Sequence, residues 1–131
     1  MDQPEMRTFD DFWPYYVREH LHETNRTLHF VGTTLAMGSV AAGLLTRRAG
    51  FLLAAPVLGY GFAWVGHFLV EGNRPATFTH PLWSLRGDFV MWWKTVTGTM
   101  AAEVAHAATS NGVHAEPAPA GEQSPTSPEV N

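Results

Sequence analysis

Cysteine is absent from all 131 residues, which excludes disulfides, thiolate zinc sites, iron–sulfur clusters and cysteine nucleophiles and leaves the redox compartment open. Any metal must therefore be held by nitrogen or oxygen. Basic residues are also scarce, with only 8 Lys and Arg. Apart from Arg47-Arg48 they stand singly, so no stripe exists to track a phosphate backbone, and nucleic acid is not an expected partner. The opening MDQPEMRTFDDFWPYY has neither a basic n-region nor an apolar h-region, so no cleavable secretory signal is expected. Phosphate loops and dinucleotide fingerprints are missing, and Ser39, Ser84 and Ser110 lie outside any G-x-S-x-G elbow.

The net charge of −4 is concentrated at one end. Glu116, Glu122 and Glu129 belong to a C-terminal stretch without Lys or Arg, and without them the rest of the chain is nearly neutral. Residues 110–131, SNGVHAEPAPAGEQSPTSPEVN, are rich in Pro, Ser and Glu and offer little to bury, so a disordered tail is expected there. His106 and His114 are expected to face solvent. Residues 1–109 are long enough for one domain with its own core.

Within that domain the expected fold class is all-α: a small multi-helix membrane protein with about four helices around a central antiparallel transmembrane hairpin. The first helix, residues 8–22, spaces Phe9, Phe12, Trp13, Tyr16 and Val17 on one face, with Thr8 as N-cap and Pro14 near the start. After HETNR, where Thr24 or Asn25 is the expected cap, comes the apolar run of residues 28–45, ended by Arg47, Arg48 and Gly50. The next run, residues 51–70, has His67 as its one ionisable group and continues toward Asn73 before Pro75 closes it. Both runs reach the roughly 20 residues needed to cross a hydrocarbon core. Gly38 and Ala42 in one, and Ala55, Gly59 and Ala63 in the other, give spacings that let helix backbones approach. The last stretch, residues 84–107, is apolar but interrupted by Asp88, Lys94 and Glu103. It is expected to be one amphipathic or marginally spanning helix, with Trp92 and Trp93 at headgroup level.

Folding the two runs antiparallel about Arg48 and Ala49 brings His29 and His67 to the same depth within about 1.5 Å, and matches Arg26 with Glu71 one turn further out. His67 and Glu71 are an i, i+4 pair, so a carboxylate is placed to back or join the imidazole. His20 and His22 precede one flanking break and His80 follows the other, so both loops reach the same end of the hairpin. Imidazoles with an occasional carboxylate suit Fe(II), Zn(II), Mn(II) or Cu(II). The duller alternatives are interfacial histidines bonded to backbone, a structural ion pair of Glu71 with Arg26 or Arg74, and a His80 that only orders its loop.

The stretches YYVREHLHETNRTLHFVGTTL and LGYGFAWVGHFLVEGNRPATFTHPLWSLRGDFVMW resemble a small membrane family known as domain of unknown function 962, the 2-hydroxy fatty acid dioxygenase-like family. The likeness spans about residues 9–95. It places the family's first His on His20, its N-x-x-x-H on Asn25 and His29, and its G-H-x-x-x-E on Gly66, His67 and Glu71, followed by Pro75 and Ala76. The resemblance implies a multi-helix membrane protein, of the endoplasmic reticulum in yeast and the inner membrane in a bacterium. It also implies Fe(II) as cofactor, O2 as co-substrate, and one-carbon shortening of 2-hydroxy fatty acids. On that basis His20, His29, His67 and Glu71 are the expected catalytic residues and iron ligands, with His80 as a further ligand. Asn25, Arg26 and Arg74 are expected to bind the acid, and membrane lipid is the expected surrounding. The competing expectations are a Zn(II) hydrolase on the same ligands and a non-catalytic membrane adaptor.

Overall fold

The computed structural model describes residues 5–113. Among them there is no strand. Five helices follow in order: α1 (Phe9–Arg18), α2 (Glu23–Thr46), α3 (Ala49–Val65), α4 (Pro81–Val96) and α5 (Met100–Val113). A π-helical segment, Gly66–Glu71, extends α3, and a single 3-10 turn, Ala76–Phe78, precedes α4. The all-α class holds, with five helices where about four were expected. The tail expected from residue 110 lies, from residue 114 onward, outside the described residues.

α1 begins as its sequence dictates. Thr8 Oγ1 accepts from the Asp11 amide at 3.2 Å and the Asp11 carboxylate accepts from the Thr8 amide at 3.0 Å, a reciprocal cap that satisfies two otherwise orphaned donors. The buried face of the helix, Phe12, Tyr16 and Val17, forms a core with Met91 of α4 and Met100 and Ala107 of α5. The cap of α2 differs from the expectation. His22, rather than Thr24 or Asn25, occupies the N-cap, its Nδ1 accepting from the Thr24 amide at 3.2 Å, which releases the Asn25 side chain for another use.

α2 and α3 form the expected antiparallel hairpin, turning through Arg47 in the left-handed region (φ 57°) and Arg48. Both limbs, Glu23–Thr46 and Ala49–Glu71, have a mean hydropathy of 1.5 and are long and apolar enough to cross a membrane. Ala55 and Ala63 are buried in the seam as expected. On α2, however, the seam is made by Gly32, Ala36, Ser39 and Gly43, while Gly38 faces open space. A Cβ on Gly32 would lie 2.7 Å from Phe62 Cβ, and one on Gly43 2.7 Å from a Leu52 methyl. Seven-residue spacing from His29 through Ala36 to Gly43 sets this face, which leaves Gly38 on the far side.

The last stretch is two helices rather than one. Gly98 adopts φ 75°, a conformation that costs glycine alone no steric penalty. The amide of Thr99 bonds the Lys94 carbonyl at 2.8 Å and that of Gly98 the Thr95 carbonyl at 3.2 Å, the paired closure that ends helices at a glycine. α5 then folds back on α1, where Glu103 takes the Trp13 indole N–H at 3.1 Å and an ion pair from Lys94 at 2.7 Å.

The seam makes opposite predictions for two glycines of one helix. Gly32→Ala should destabilise the protein by about 1–3 kcal/mol through overpacking, whereas Gly38→Ala should leave stability unchanged or raise it, since alanine is the better helix former. Thermal unfolding in detergent, followed by circular dichroism, compares the two.

Candidate metal centre

Three buried imidazoles from three elements converge at the open end of the hairpin: His20 from the α1–α2 loop, His29 from the second turn of α2, and His67 from the π-helical segment. Their ring centroids lie 4.5, 4.5 and 5.0 Å apart, each pair edge-on. One nitrogen from each falls within 4.8 Å of the others. The matched depth of His29 and His67 read from the sequence is therefore realised in space, and His20 joins them.

The protonation pattern follows from what the outer nitrogens touch. His20 Nδ1 donates to the Tyr16 carbonyl at 2.6 Å, an atom that can only accept. His29 Nδ1 donates to Asp88 Oδ1 at 3.1 Å. His67 Nδ1 donates to Asn73 Oδ1 at 2.7 Å, and that amide's orientation is fixed because its Nδ2 donates to the Glu19 carbonyl and carboxylate at 3.0 and 2.9 Å. Each ring thus directs its Nδ1 hydrogen at an oxygen and turns its Nε2 inward. His20 and His29 bring theirs within 3.2 Å, an arrangement with no proton to share. A cation removes this repulsion, and neutral imidazole nitrogens with an oxygen acceptor behind each ring are the donor set of a first-row divalent metal. Asn25 Oδ1 adds a buried oxygen with no hydrogen-bond donor, one turn before His29 and against Gly66, where a Cβ would sit 2.0 Å from it. The residues present fit a metal ion.

Burial and the neighbouring His29 and His67 hold the His20 pKa well below its usual value near 6.5, which keeps the ring neutral. Tyr16 stacks on His20 at 4.1 Å and donates its hydroxyl to Asp88 Oδ1. Burial, then the Asp88 charge, pushes the phenol well above its ordinary range, so the proton stays on Tyr16 and Asp88 accepts from both Tyr16 and His29.

Other expected residues have different employment. Glu71 is not in the group of three side chains whose ligand atoms converge. Its carboxylate accepts from the amides of Leu21 and His22 at 3.1 to 3.2 Å and from Asn25 Nδ2 at 3.2 Å, at the start of α2 where the helix dipole favours negative charge. Arg26 does not pair with it but donates to the carbonyls of His20 and Leu21 at 3.0 and 2.5 Å. The two side chains thus hold the His20 loop by different groups, Glu71 by its amides and Arg26 by its carbonyls. Arg74 lies over the Phe78 ring at 5.4 Å. His80 precedes α4, stacked on Trp83 and bonded to Thr79 Oγ1, and His22 caps α2; neither is among the three converging rings. Sequence reasoning missed Tyr16, Asn73 and Asp88 as supports of the site. Asp88 did carry a signal, a lone carboxylate in an otherwise apolar stretch.

A groove of about 560 Å³ leads away from His29 and Asp88 along α2 and α3, walled mostly by apolar side chains, Tyr60 and Phe89 among them, as far as Leu44. The site is thus polar at its head and hydrocarbon along its length.

Two outcomes follow from this geometry. After anaerobic loading with Fe(II) or Zn(II), His20→Ala, His29→Ala and His67→Ala should each lose stoichiometric metal by elemental analysis, while His22→Ala and His80→Ala retain it. Asp88→Asn should weaken metal affinity by about 10–100-fold, the usual cost of losing a partner behind a ligand. The depressed pKa of His20 also sets a pH dependence for the metal-free protein. The unfolded chain binds the extra proton first, so stability is full above pH about 6.5 and falls as pH drops from there toward the lower folded value. Melting curves between pH 5 and 8, with a flatter response in His20→Gln, check the sign.

The family 2-hydroxy-palmitic acid dioxygenase Mpo1-like matches residues 6–100, a span that includes all three imidazoles, Asp88 and the whole hairpin. Neither a curated protein nor a solved structure matches. By the extent of that match, the chain belongs to the family described as 2-hydroxy-palmitic acid dioxygenase Mpo1-like.

Proposed function

We propose that this chain is a membrane-embedded, Fe(II)-dependent dioxygenase that shortens 2-hydroxy fatty acids by one carbon. The observation that carries the reading is the trio of inward-facing imidazole nitrogens at the head of a long apolar groove, in a chain whose family is described by the words 2-hydroxy-palmitic acid dioxygenase. The overall change balances without further reductant: R–CH(OH)–COOH and O2 give R–COOH, CO2 and water.

The membrane placement rests on outward-facing hydrocarbon. Only 22% and 17% of the apolar windows of the two hairpin limbs are buried, whereas the core helix of a water-soluble protein would be mostly covered. Leu45, Leu53 and Val57 all stand more than half exposed, a surface suited to acyl chains rather than water.

His20, His29 and His67 hold the iron in this reading. Fe(II) bound there supplies open coordination positions for O2 and for the hydroxyl and carboxylate of the substrate, together with the redox chemistry that cleaves the C1–C2 bond. The protein orients and shields. Asp88, Asn73 and the Tyr16 carbonyl keep each ring in the ligating tautomer, Glu71 and Arg26 fix the loop that carries His20, and the burial of His20, His29 and His67 keeps bulk water from the reacting head. Thr33 and Asp88 line the groove beside His29. Neither Arg26 nor Arg74 lines the groove, so balancing the acid's charge falls to the metal.

The test is direct. Protein purified without oxygen, loaded with Fe(II) and given 2-hydroxypalmitate should consume O2 and release CO2 in a one-to-one ratio, and His67→Ala should abolish iron binding and turnover together. A His67→Ala protein with full iron content rules out this ligand assignment. Stoichiometric Zn(II) with oxygen-independent hydrolysis would replace the reading with a hydrolase, and stability indifferent to chelators with nothing bound would replace it with an adaptor.

A further inference from the structure

The groove does more than point away from the histidines. On α2 its wall is a single face that starts at His29, passes Thr33, Met37 and Val40, and ends at Ala41 and Leu44. The distance from His29 to Leu44 along the helix is about 22 Å, well over half of the ~30 Å hydrocarbon thickness of a bilayer. Its volume, about 560 Å³, falls within the ~300–1,000 Å³ that a single small ligand occupies. Polarity runs one way: His29, Thr33 and Asp88 gather at one end, and the distal half is aliphatic. An occupant that matches has one polar head and one long alkyl tail.

We propose that this groove measures the substrate's alkyl chain, and that Val40, Ala41 and Leu44 decide how long a chain is accepted. The inference rests on the dioxygenase reading for the identity of the head group, but the placement of the tail stands on the groove alone. Length discrimination follows from burial. Each methylene that finds room in the groove gains about 0.8 kcal/mol, or roughly four-fold, and a methylene that meets a blocked wall forfeits it. Ala41 is the position to block. It is a small residue on the groove side of α2 in the distal half, and it lies outside the Gly32, Ala36, Ser39 and Gly43 seam that packs against α3.

Two measurements test the proposal. The first needs no turnover and no metal: 2-hydroxy fatty acids with a diazirine at the chain terminus are photolysed with the protein in phosphatidylcholine nanodiscs, and adducts are mapped by peptide mass spectrometry. Labels should concentrate at residues 40–44 and move toward Thr33, Ala36 and Met37 when the diazirine is placed nearer the head. Labels spread as densely over Leu45, Leu53 and Val57, which face outward beyond the groove, would mark ordinary lipid partitioning and overturn the proposal.

The second measurement compares chain-length profiles. Ala41→Trp should cut kcat/KM for acids that reach the distal half by on the order of a hundred-fold, the loss of three to four buried methylenes, and leave shorter acids unchanged. Leu45→Trp, one helical turn further along α2 and outside the groove, should keep the wild-type profile. An unaltered profile in Ala41→Trp alongside normal turnover overturns the groove reading and leaves the dioxygenase intact. Groove-restricted labelling in a protein that does not turn over 2-hydroxy acids supports the groove and removes the dioxygenase.

Discussion

The structure depends on three imidazole lone pairs being forced together in a dry place. His20, His29 and His67 each donate the Nδ1 hydrogen to a fixed oxygen, so their remaining ring nitrogens face one another. Left alone that arrangement repels; with a divalent cation it becomes a binding site. The repulsion is tolerated because each ring is anchored from behind, and the anchors come from elements far apart in sequence. Asp88 lies on α4, Asn73 beyond the end of the π-helical segment, and the Tyr16 carbonyl in the last turn of α1.

These anchors tie together two parts that would otherwise have little in common. α1, α4 and α5 share a conventional aromatic and aliphatic core centred on Phe12, Tyr16 and Met91, while the α2–α3 hairpin is apolar on its outside and narrow in its seam. Tyr16 belongs to that core and also donates to Asp88, which accepts from His29 of the hairpin. Glu71 and Arg26 perform the same service at the mouth, one holding the amides and the other the carbonyls of the His20 loop. π-helical turns recur at functional sites because they re-aim a side chain at the cost of one strained turn. Here the widened turn contains His67, and its Gly66 lets Asn25 approach more closely than any side chain would permit.

Much of this was legible in the order of residues. Thr8 followed by Asp10 and Asp11 announces the start of α1, and two uninterrupted apolar runs separated by Arg47 and Arg48 announce the hairpin. Counting residues from that turn was enough to bring His29 and His67 to one depth, since a helix rises by a constant amount per residue. Where the sequence misled, the cause was local ambiguity. Gly38 and Gly32 offer the same composition to a small-residue pattern, and only the rotation of α2 about its axis separates the seam from the outward face. Gly98 gives little sign of the break, because the apolar pattern continues on both sides of it, although its positive φ ends α4.

By itself, then, the sequence determined the helical class, the hairpin, the two histidines at one level and, through its family resemblance, the third. It did so because periodicity, length and turn chemistry are local properties, readable along the chain. Tertiary structure alone decided which oxygens stand behind the rings, that Glu71 holds a loop, that His80 stays outside the cluster, and that Asp88 and Tyr16 belong to the site. Those are contacts between residues up to 72 positions apart, and no short-range rule carries the rotation of one helix against another that brings them within hydrogen-bonding reach.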